Sequence, residues 1–489
     1  MTTGMNEIMI DLQGGAKAPL YQKIYDHLKK EITCGAISKG TRIPSTRLLA
    51  KQLMVSRSTV EMAYEQLLAE GYIKSEACRG FFVCDITELY QLEGKQNKSE
   101  GLNADFTSEP VWGKETAKKL PDCYADFSPD AIDTEHFPYN VWRKLNKDVW
   151  LDDREELLLS GEGQGDERLR NVIAQYLYQA RGVNCHASQI ILGAGNEYLE
   201  ILLAQVLGTK KKILMEDPTY LQAYHTFCNL GFQVETILGS DKGIEIESVH
   251  EIQPDAIYIM PSHQFPLGTV MPQKARLELL NWANEKEGRY LIEDDHDSEF
   301  RYRGKPIPSL QSFDRNGKVI YLGTFSKSIA PSLRVSYMVL PIELLKQYHE
   351  KCGFYSTTVP KMQQEVLRKF MEEGHFGRHL NRMRAIYKGK HDFITAELKK
   401  YRWVKRVSGD NAGLHVLVEV DTNLTEQELC KQVRGAGIKI NGISEYYIHK
   451  QEERCNPVIL LGYGKLANEK IKEGLELLNE VVEDTGQIE

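Results

Sequence analysis

Tyr321-Leu322-Gly323-Thr324-Phe325-Ser326-Lys327-Ser328-Ile329-Ala330-Pro331-Ser332-Leu333-Arg334 is the stretch on which the reading of the whole chain turns. An apolar run rich in β-formers, Val319 to Leu322, delivers a lysine into a hydroxyl-rich turn, and an arginine follows seven residues later. A lysine amine condenses with a carbonyl to a Schiff base when desolvation or a cationic neighbour lowers its pKa, and pyridoxal phosphate (PLP) is the commonest partner of such a lysine. The hydroxyls of Thr324 and Ser326 and the guanidinium of Arg334 are groups that take a phosphate, arginine by paired charge-assisted hydrogen bonds. Alone, the stretch describes a surface loop with a solvated lysine equally well, because lysines are mostly exposed. The rest of the sequence has to decide.

A chain of 489 residues is too long for one core, so two or three domains are expected. The composition, 42% hydrophobic and 27% charged, is that of a globular protein, and no apolar run is long enough to span a bilayer. Met1 to Leu12 lacks the charged-then-apolar pattern of a signal peptide, so a cytoplasmic location is expected. Nine cysteines lie scattered from Cys34 to Cys455 without a Cys-x-x-Cys pair, which indicates neither a zinc site nor a disulfide framework. The net charge of −8 argues against nonspecific nucleic-acid binding by the whole molecule. It is unevenly spread: residues 1–85 hold 11 Lys/Arg and 9 Asp/Glu, a mildly basic head on an acidic body.

In the head, Tyr21, Ile24, Tyr25, Leu28 and Ile32 recur at helical spacing, and Gly35 ends the run. A second helix is expected after Pro44-Ser45, with Ser45 as cap and Leu48, Leu49 and Leu53 facing inward. A third starts at Ser56, carries Val60, Ala63, Tyr64, Leu67 and Leu68 as its apolar stripe, and stops at Gly71. Two helices joined by the short break Met54-Val55 make a helix-turn-helix. Tyr72-Ile73-Lys74 and Gly80-Phe81-Phe82-Val83, joined by a tip with Arg79, make a wing. Arg42, Ser45, Thr46, Arg47, Ser56, Arg57, Ser58 and Thr59 gather at the starts of the second and third helices, where amides and the helix dipole favour phosphate. Hydroxyls and arginines there can position a DNA backbone and reach base edges, although each taken singly is as easily a cap or a solvated charge.

From Ile86 to about Tyr124 no periodicity is sustained, and the stretch reads as a flexible linker. Beyond it, strand-like runs (Ile190 to Leu192, Ile213 to Met215, Ala256 to Met260, Tyr290 to Ile292, Val319 to Leu322, Val335 to Leu340) alternate with helical stripes. Such alternation argues for a largely parallel sheet with ligands at the C-terminal strand ends. After about Leu345 the pattern changes to that of a smaller α+β domain.

Further constellations fall at those strand ends. The amides of Gly195 and Asn196, in Gly193-Ala194-Gly195-Asn196-Glu197, can cradle a phosphate at a helix N-terminus, or the glycines can serve turn geometry alone. Tyr220, in Glu216-Asp217-Pro218-Thr219-Tyr220, offers a ring to stack on a flat cofactor, or only packing. His263 and Gln264, in Pro261-Ser262-His263-Gln264-Phe265-Pro266-Leu267-Gly268, suit a ring hydroxyl. Glu293-Asp294-Asp295-His296-Asp297-Ser298-Glu299 is a solvated acidic turn, a cation site, or a place where one aspartate keeps a pyridine nitrogen protonated.

Residues 18–84 resemble the winged helix-turn-helix of the GntR family of bacterial repressors. From about residue 125 to the C-terminus the chain resembles a fold-type I (class I) aminotransferase, and the fusion resembles the MocR/GabR family of transcription regulators. The resemblance implies a multidomain protein: a winged helix-turn-helix at 1–85, a linker at 86–124, and an α/β PLP-dependent aminotransferase-like body at 125–489, its large part ending near 345 and its smaller α+β part running from 346. It implies Lys327 as the aldimine lysine, Asp294 as the pyridinium partner, Tyr220 as the stacking ring, and Thr324 and Arg334 as phosphate ligands. It further implies Arg47, Arg57 and Thr59 at the DNA, with Arg79 at the wing. Two departures stand out: His296 replaces the usual tyrosine of the acidic motif, and Val458 to Tyr463 lacks the arginine that commonly grips a substrate carboxylate, leaving Arg434 and Arg454 as the nearest in sequence. The expected protein is thus a homodimeric regulator that binds double-stranded operator DNA and senses a small amino-compound effector, or PLP itself, through an aldimine at Lys327. A working aminotransferase with an accessory DNA-binding head is the alternative.

Overall fold

The computed structural model describes residues 19–77, 79–85, 124–151, 155–240, 243–302, 307–409, 412–449 and 456–486. Most of the expected linker and Arg454 lie outside them. The chain divides into two compact units, Met1–Thr116 and Ala117–Glu489.

In the first unit, helices α1 (Leu20–Thr33), α2 (Thr46–Leu53) and α3 (Arg57–Ala69) enclose a core of Ile24, Leu28, Leu49, Val60, Tyr64 and Leu67. Ser45 caps α2 by accepting from Leu48 N at 3.2 Å, and Ser56 caps α3 by accepting from Thr59 N at 3.1 Å. Leu48 is a correction to the expected stripe. It is 46% exposed, because Leu49 and Leu53, four apart, take the inward face of this eight-residue helix and the preceding position turns outward. Strands β1 (Arg42–Ile43), β2 (Ile73–Glu76) and β3 (Gly80–Val83) form an antiparallel sheet in the order β1-β3-β2, which is the wing.

The second unit begins with β4 (Ala125–Asp126) and is built on a seven-stranded sheet. Its strands are β5 (Ile190–Gly193), β6 (Lys212–Asp217), β7 (Gln233–Leu238), β8 (Ala256–Ile259), β9 (Tyr290–Asp295), β10 (Val319–Thr324) and β11 (Ser336–Val339), in the order β5-β11-β10-β9-β8-β6-β7. All pairings are parallel except those of β11, which runs against both β10 and β5. Side chains alternate between two apolar layers: Ile191, Ile292, Leu322 and Met338 enter one, and Ile190, Leu192, Tyr321 and Val339 the other. Strand β7 has no counterpart in the sequence reading. It is an edge strand with half-buried faces, so Gln-Val-Glu-Thr-Ile-Leu lacks the continuous apolar signal of its buried neighbours.

A second sheet, β12 (Val404–Ser408), β13 (His415–Val420), β15 (Asn441–Gly442) and β16 (Val458–Gly462), is antiparallel in the order β12-β13-β16-β15. β14 (Ile438–Lys439) pairs in parallel with β4. The two cores do not change over at residue 345. Helices Ile342–Cys352 and Lys361–Glu372 pack on the large sheet, and the change falls inside helix His375–Leu398: Phe376 to Tyr387 join the large core, Ile394 and Leu398 the small one. Ala125 and Phe127 also belong to the small core.

Candidate functional site

The sheet order sets the site. Because β11 runs against β10 and β5, its first residue, Ser336, lies beside Thr324 and Gly193, the last residues of those strands. At the same edge Asp294 lies opposite Leu322 and Asp295 opposite Gly323. A cleft opens there, lined by Asp130, Gly195, Asn196, Glu200, Tyr220, Asp294, His296, Asp297, Thr324, Ser326, Lys327, Arg334, Ser336 and His415 among others.

One end of the cleft suits a phosphate. Helix Asn196–Leu207 starts there with Gly195 (φ +111°) in the cap position, which brings no side chain to its first amides. A Cβ on Gly195 would displace the Arg334 guanidinium and the Glu197 carboxylate, and the φ of +111° is one that side-chain-bearing residues resist, so the position favours glycine. Ser326 N donates to Thr324 Oγ1 at 3.1 Å, Ser336 Oγ bonds Thr324 Oγ1 at 3.0 Å, and Arg334 Nη2 donates to Glu197 Oε2 at 2.7 Å. This backbone cradle with a guanidinium beside it fits the phosphate of PLP.

The acidic run is partitioned by strand alternation. Glu293 accepts from Leu310 N and Gln311 N at 2.8 and 2.9 Å, and Asp295 accepts from Arg181 Nε at 2.7 Å and Tyr321 OH at 2.5 Å, both away from the cleft. Asp294, between them, lines the cleft, receiving the Tyr258 hydroxyl on one oxygen and Asn196 Nδ2 at 3.4 Å on the other. Burial raises the Asp294 pKa against the opposing pull of His296 and the Tyr258 hydroxyl. A cationic partner would return it to the carboxylate form, which is what a protonated pyridine nitrogen supplies. Below it, Glu200 is buried with Oε2 unpaired, and burial and then the Asp294 charge push its pKa up to about 8.

Lys327 Nζ donates to Asp130 Oδ1 at 2.7 Å and to the Pro129 carbonyl oxygen at 3.3 Å. Against the burial that would raise it, the Lys327 charge and then its hydrogen bond hold the Asp130 carboxyl below the usual range, with His296 and His415 adding to the pull. His296 lines the cleft with its Nε2 3.3 Å from Asp297 Oδ1. His263 and Gln264 do not line it. His263 is buried with Nδ1 2.8 Å from Asp297 Oδ1, and Gln264 clamps the loop between Pro218 O and Leu267 N at 2.8 and 3.0 Å. Burial and then the neighbouring His263 bring the His415 pKa down to about 4. His263, His296 and Asp297 each bring one atom of metal-ligand type within 4.8 Å of the others, a grouping that the spacing of the cysteines gave no reason to expect. Tyr220 lines the cleft, edge-on to Phe265 at 6.1 Å, with its hydroxyl on Gln222 Oε1 at 2.7 Å.

Of the eleven cofactor residues expected from sequence, the cleft brings together Lys327, Asp294, Tyr220, His296, Thr324, Ser326, Arg334, Gly195 and Asn196, and leaves out His263 and Gln264. The sequence reading missed Asp130, Glu200, Asp297, Ser336 and His415. Glu200 did leave a signal: it lies four residues from Asn196 on one helix face, a charge amid Leu199, Leu202 and Leu203. Arg434 is exposed at the end of helix Glu426–Gly435.

In the head, Arg42, Arg47, Ser45, Ser56, Arg57, Ser58 and Arg79 are exposed and Thr59 is half-buried. Ser56 Oγ lies 2.9 Å from Ser58 Oγ and 2.7 Å from Thr59 Oγ1, clustering hydroxyls at the start of α3. Arg57 pairs with Glu61 at 2.7 Å and Arg79 with Glu76 at 2.7 Å, ion pairs whose guanidiniums are exposed and screened, and Arg79 also lies over the Phe82 ring at 5.6 Å. Among the described residues no helix is long and apolar enough to cross a membrane.

Residues 20–83 match the family of bacterial regulatory proteins of the gntR type, a DNA-binding head, and residues 130–456 match aminotransferase class I and II. The helix-turn-helix transcriptional regulator YdeL of Bacillus subtilis is 38% identical over 94% of this chain and 96% of its own length. The regulatory protein MocR of Rhizobium meliloti is 30% identical over 96% of this chain and 95% of its own. Among solved structures, a kynurenine aminotransferase of Pyrococcus horikoshii, in complex with PMP, superposes with a TM-score of 0.66 at 23% identity, covering 75% of this chain and 92% of that one. With a GntR-type head, a fold-type I aminotransferase body and relatives that match both from end to end, the chain belongs to the MocR-type helix-turn-helix transcriptional regulators.

Proposed function

We propose that this regulator binds PLP in the body cleft and that an amino compound, or PLP itself, changes how the head engages DNA. The observation that carries the reading is the convergence of a lysine, a buried aspartate and a glycine-lined, arginine-flanked helix N-terminus on one set of strand ends. Gly195, Asn196, Thr324, Ser326 and Arg334 would hold the phosphate, Tyr220 the ring, His296 the ring hydroxyl, and Asp294 the proton on the pyridine nitrogen. When bound, PLP supplies an aldehyde that condenses with a primary amine. Lys327 would supply the amine that holds the cofactor, and Asp130 would pair with that amine whenever it is free. Tyr258 and Asn196 keep Asp294 aimed at the ring, and the buried surroundings exclude water from that end. Effector binding shifts the protein between arrangements that differ in DNA affinity by as much as the effector distinguishes them.

At the DNA, Arg47, Arg57 and Thr59 read from the starts of α2 and α3, Arg42, Ser45, Ser56 and Ser58 position the backbone, and Arg79 follows at the wing. The protein works as a homodimer in the cytoplasm, with residues 86–124 joining head to body. The test is the visible absorption of the PLP-treated full chain while a panel of amines is added. A band that shifts with one compound and stays shifted supports a sensor. A band that disappears and returns with a keto acid makes the protein a working aminotransferase, and no band at all refutes the assignment of Lys327.

A further inference from the structure

Among the described residues, Lys327 brings the cleft's lysine amine, and its Nζ stands 2.7 Å from Asp130 Oδ1. The Asp130 side chain keeps two-thirds (66%) of its surface open although the cleft walls partly desolvate its carboxylate, and Lys327 keeps 16%, so the carboxylate is the more accessible member of the pair. An incoming ligand amine arrives as a cation and is drawn to this carboxylate. An α-amino acid brings a second charge, a carboxylate two bonds from its nitrogen, and places it against Asp130. Little on the described walls offsets that repulsion. Arg334 is engaged with Glu197 and the Ala194 carbonyl, at 2.7 and 3.2 Å. His296 is drawn to Asp297, and His415 Nε2 lies 2.9 Å from the Pro266 carbonyl oxygen.

We infer that Asp130 is a specificity-determining residue that makes the cleft select primary amines without a carboxylate beside the nitrogen over α-amino acids. This rests on the reading of Lys327 as the cofactor-bearing lysine. The full chain, loaded with PLP and freed of excess, is titrated with butylamine and with norvaline (2-aminopentanoate), two probes that differ only in the carboxylate. Concentrations are counted as free base, and the visible band is followed. Butylamine half-saturates the native chain at a concentration at least about tenfold lower than norvaline, the scale of a like-charge clash in a partly desolvated site. In Asp130→Asn the two draw within about threefold of each other, while Asp130→Glu, which keeps the charge, keeps the preference. Equal half-saturation in the native chain, an unchanged ratio in Asp130→Asn, or a band that neither probe moves overturns the inference. A native chain that forms no band with PLP overturns the cofactor assignment as well, which separates the two failures.

Discussion

In the head, Arg47, Arg57 and Ser58 stand on the surface, and the contacts of Arg57 and Ser58 lie within a few residues of them in sequence. In the body, Asp294 and Asp297 are buried, and what they and Lys327 do is set by groups far away along the chain: Tyr258 for Asp294, His263 for Asp297, and Pro129-Asp130 for Lys327. A surface that binds a polyanion needs only charge and hydroxyls at helix starts, which local sequence supplies. A pocket that tunes a cofactor needs desolvation and opposed charges, which only the assembled sheet supplies. Substitutions in the two regions should therefore fail differently.

The largest effect is expected at the phosphate end of the cleft. Gly195→Ala puts a methyl group into the Arg334 guanidinium at a backbone angle that alanine resists. PLP retention after gel filtration should fall at least about tenfold, with DNA binding by the head preserved. Retention at the native level would separate Gly195 from the phosphate. Arg57→Ala is the mirror experiment: DNA affinity drops by about 1–3 kcal/mol while the visible spectrum stays native. A changed spectrum with unchanged affinity would reverse the assignment of the two regions.

The smaller effect concerns pH. The pKa of Glu200 is raised from 4.5 to about 8 in the folded body, so the folded state holds a proton that the unfolded chain has released. That contribution is fully present below about pH 4.5 and is lost as pH rises through about 8. From 4.5 to about 8 it amounts to at most about 5 kcal/mol, at about 1.4 kcal/mol per pKa unit. Glu200→Gln removes the dependence, so the difference in melting temperature between variant and native chain should grow in the variant's favour from pH 5 to pH 8. Parallel profiles would place the Glu200 carboxyl in water rather than in the cleft wall.

Most of the fold could be read from the sequence because buried parallel strands are continuous apolar runs, and glycines and capping serines punctuate the head. Edge strand β7 escaped, since its half-exposed faces leave no such run. In the site, the residues that end strands or start helices were legible: Lys327, Asp294, Gly195 and Arg334. Ser336 was not, because only the antiparallel placement of β11 sets it beside Thr324. Asp130 was not either, being 197 residues from Lys327 and bearing no local mark. His263 and Gln264 misled for the opposite reason. They are polar and end a strand, yet their side chains serve the loop and Asp297 rather than the cleft.

The claim that most needs testing is that the body's lysine governs the head's grip on DNA. The direct measurement is the affinity of the full chain for a DNA site selected from a random pool, taken with and without saturating PLP and then with the amine that shifts the visible band, in the native protein and in Lys327→Ala. The account predicts that the native affinity moves with cofactor or amine, while Lys327→Ala forms no Schiff-base band, binds DNA and does not respond. An equal response in Lys327→Ala, or no response in either protein, would contradict it.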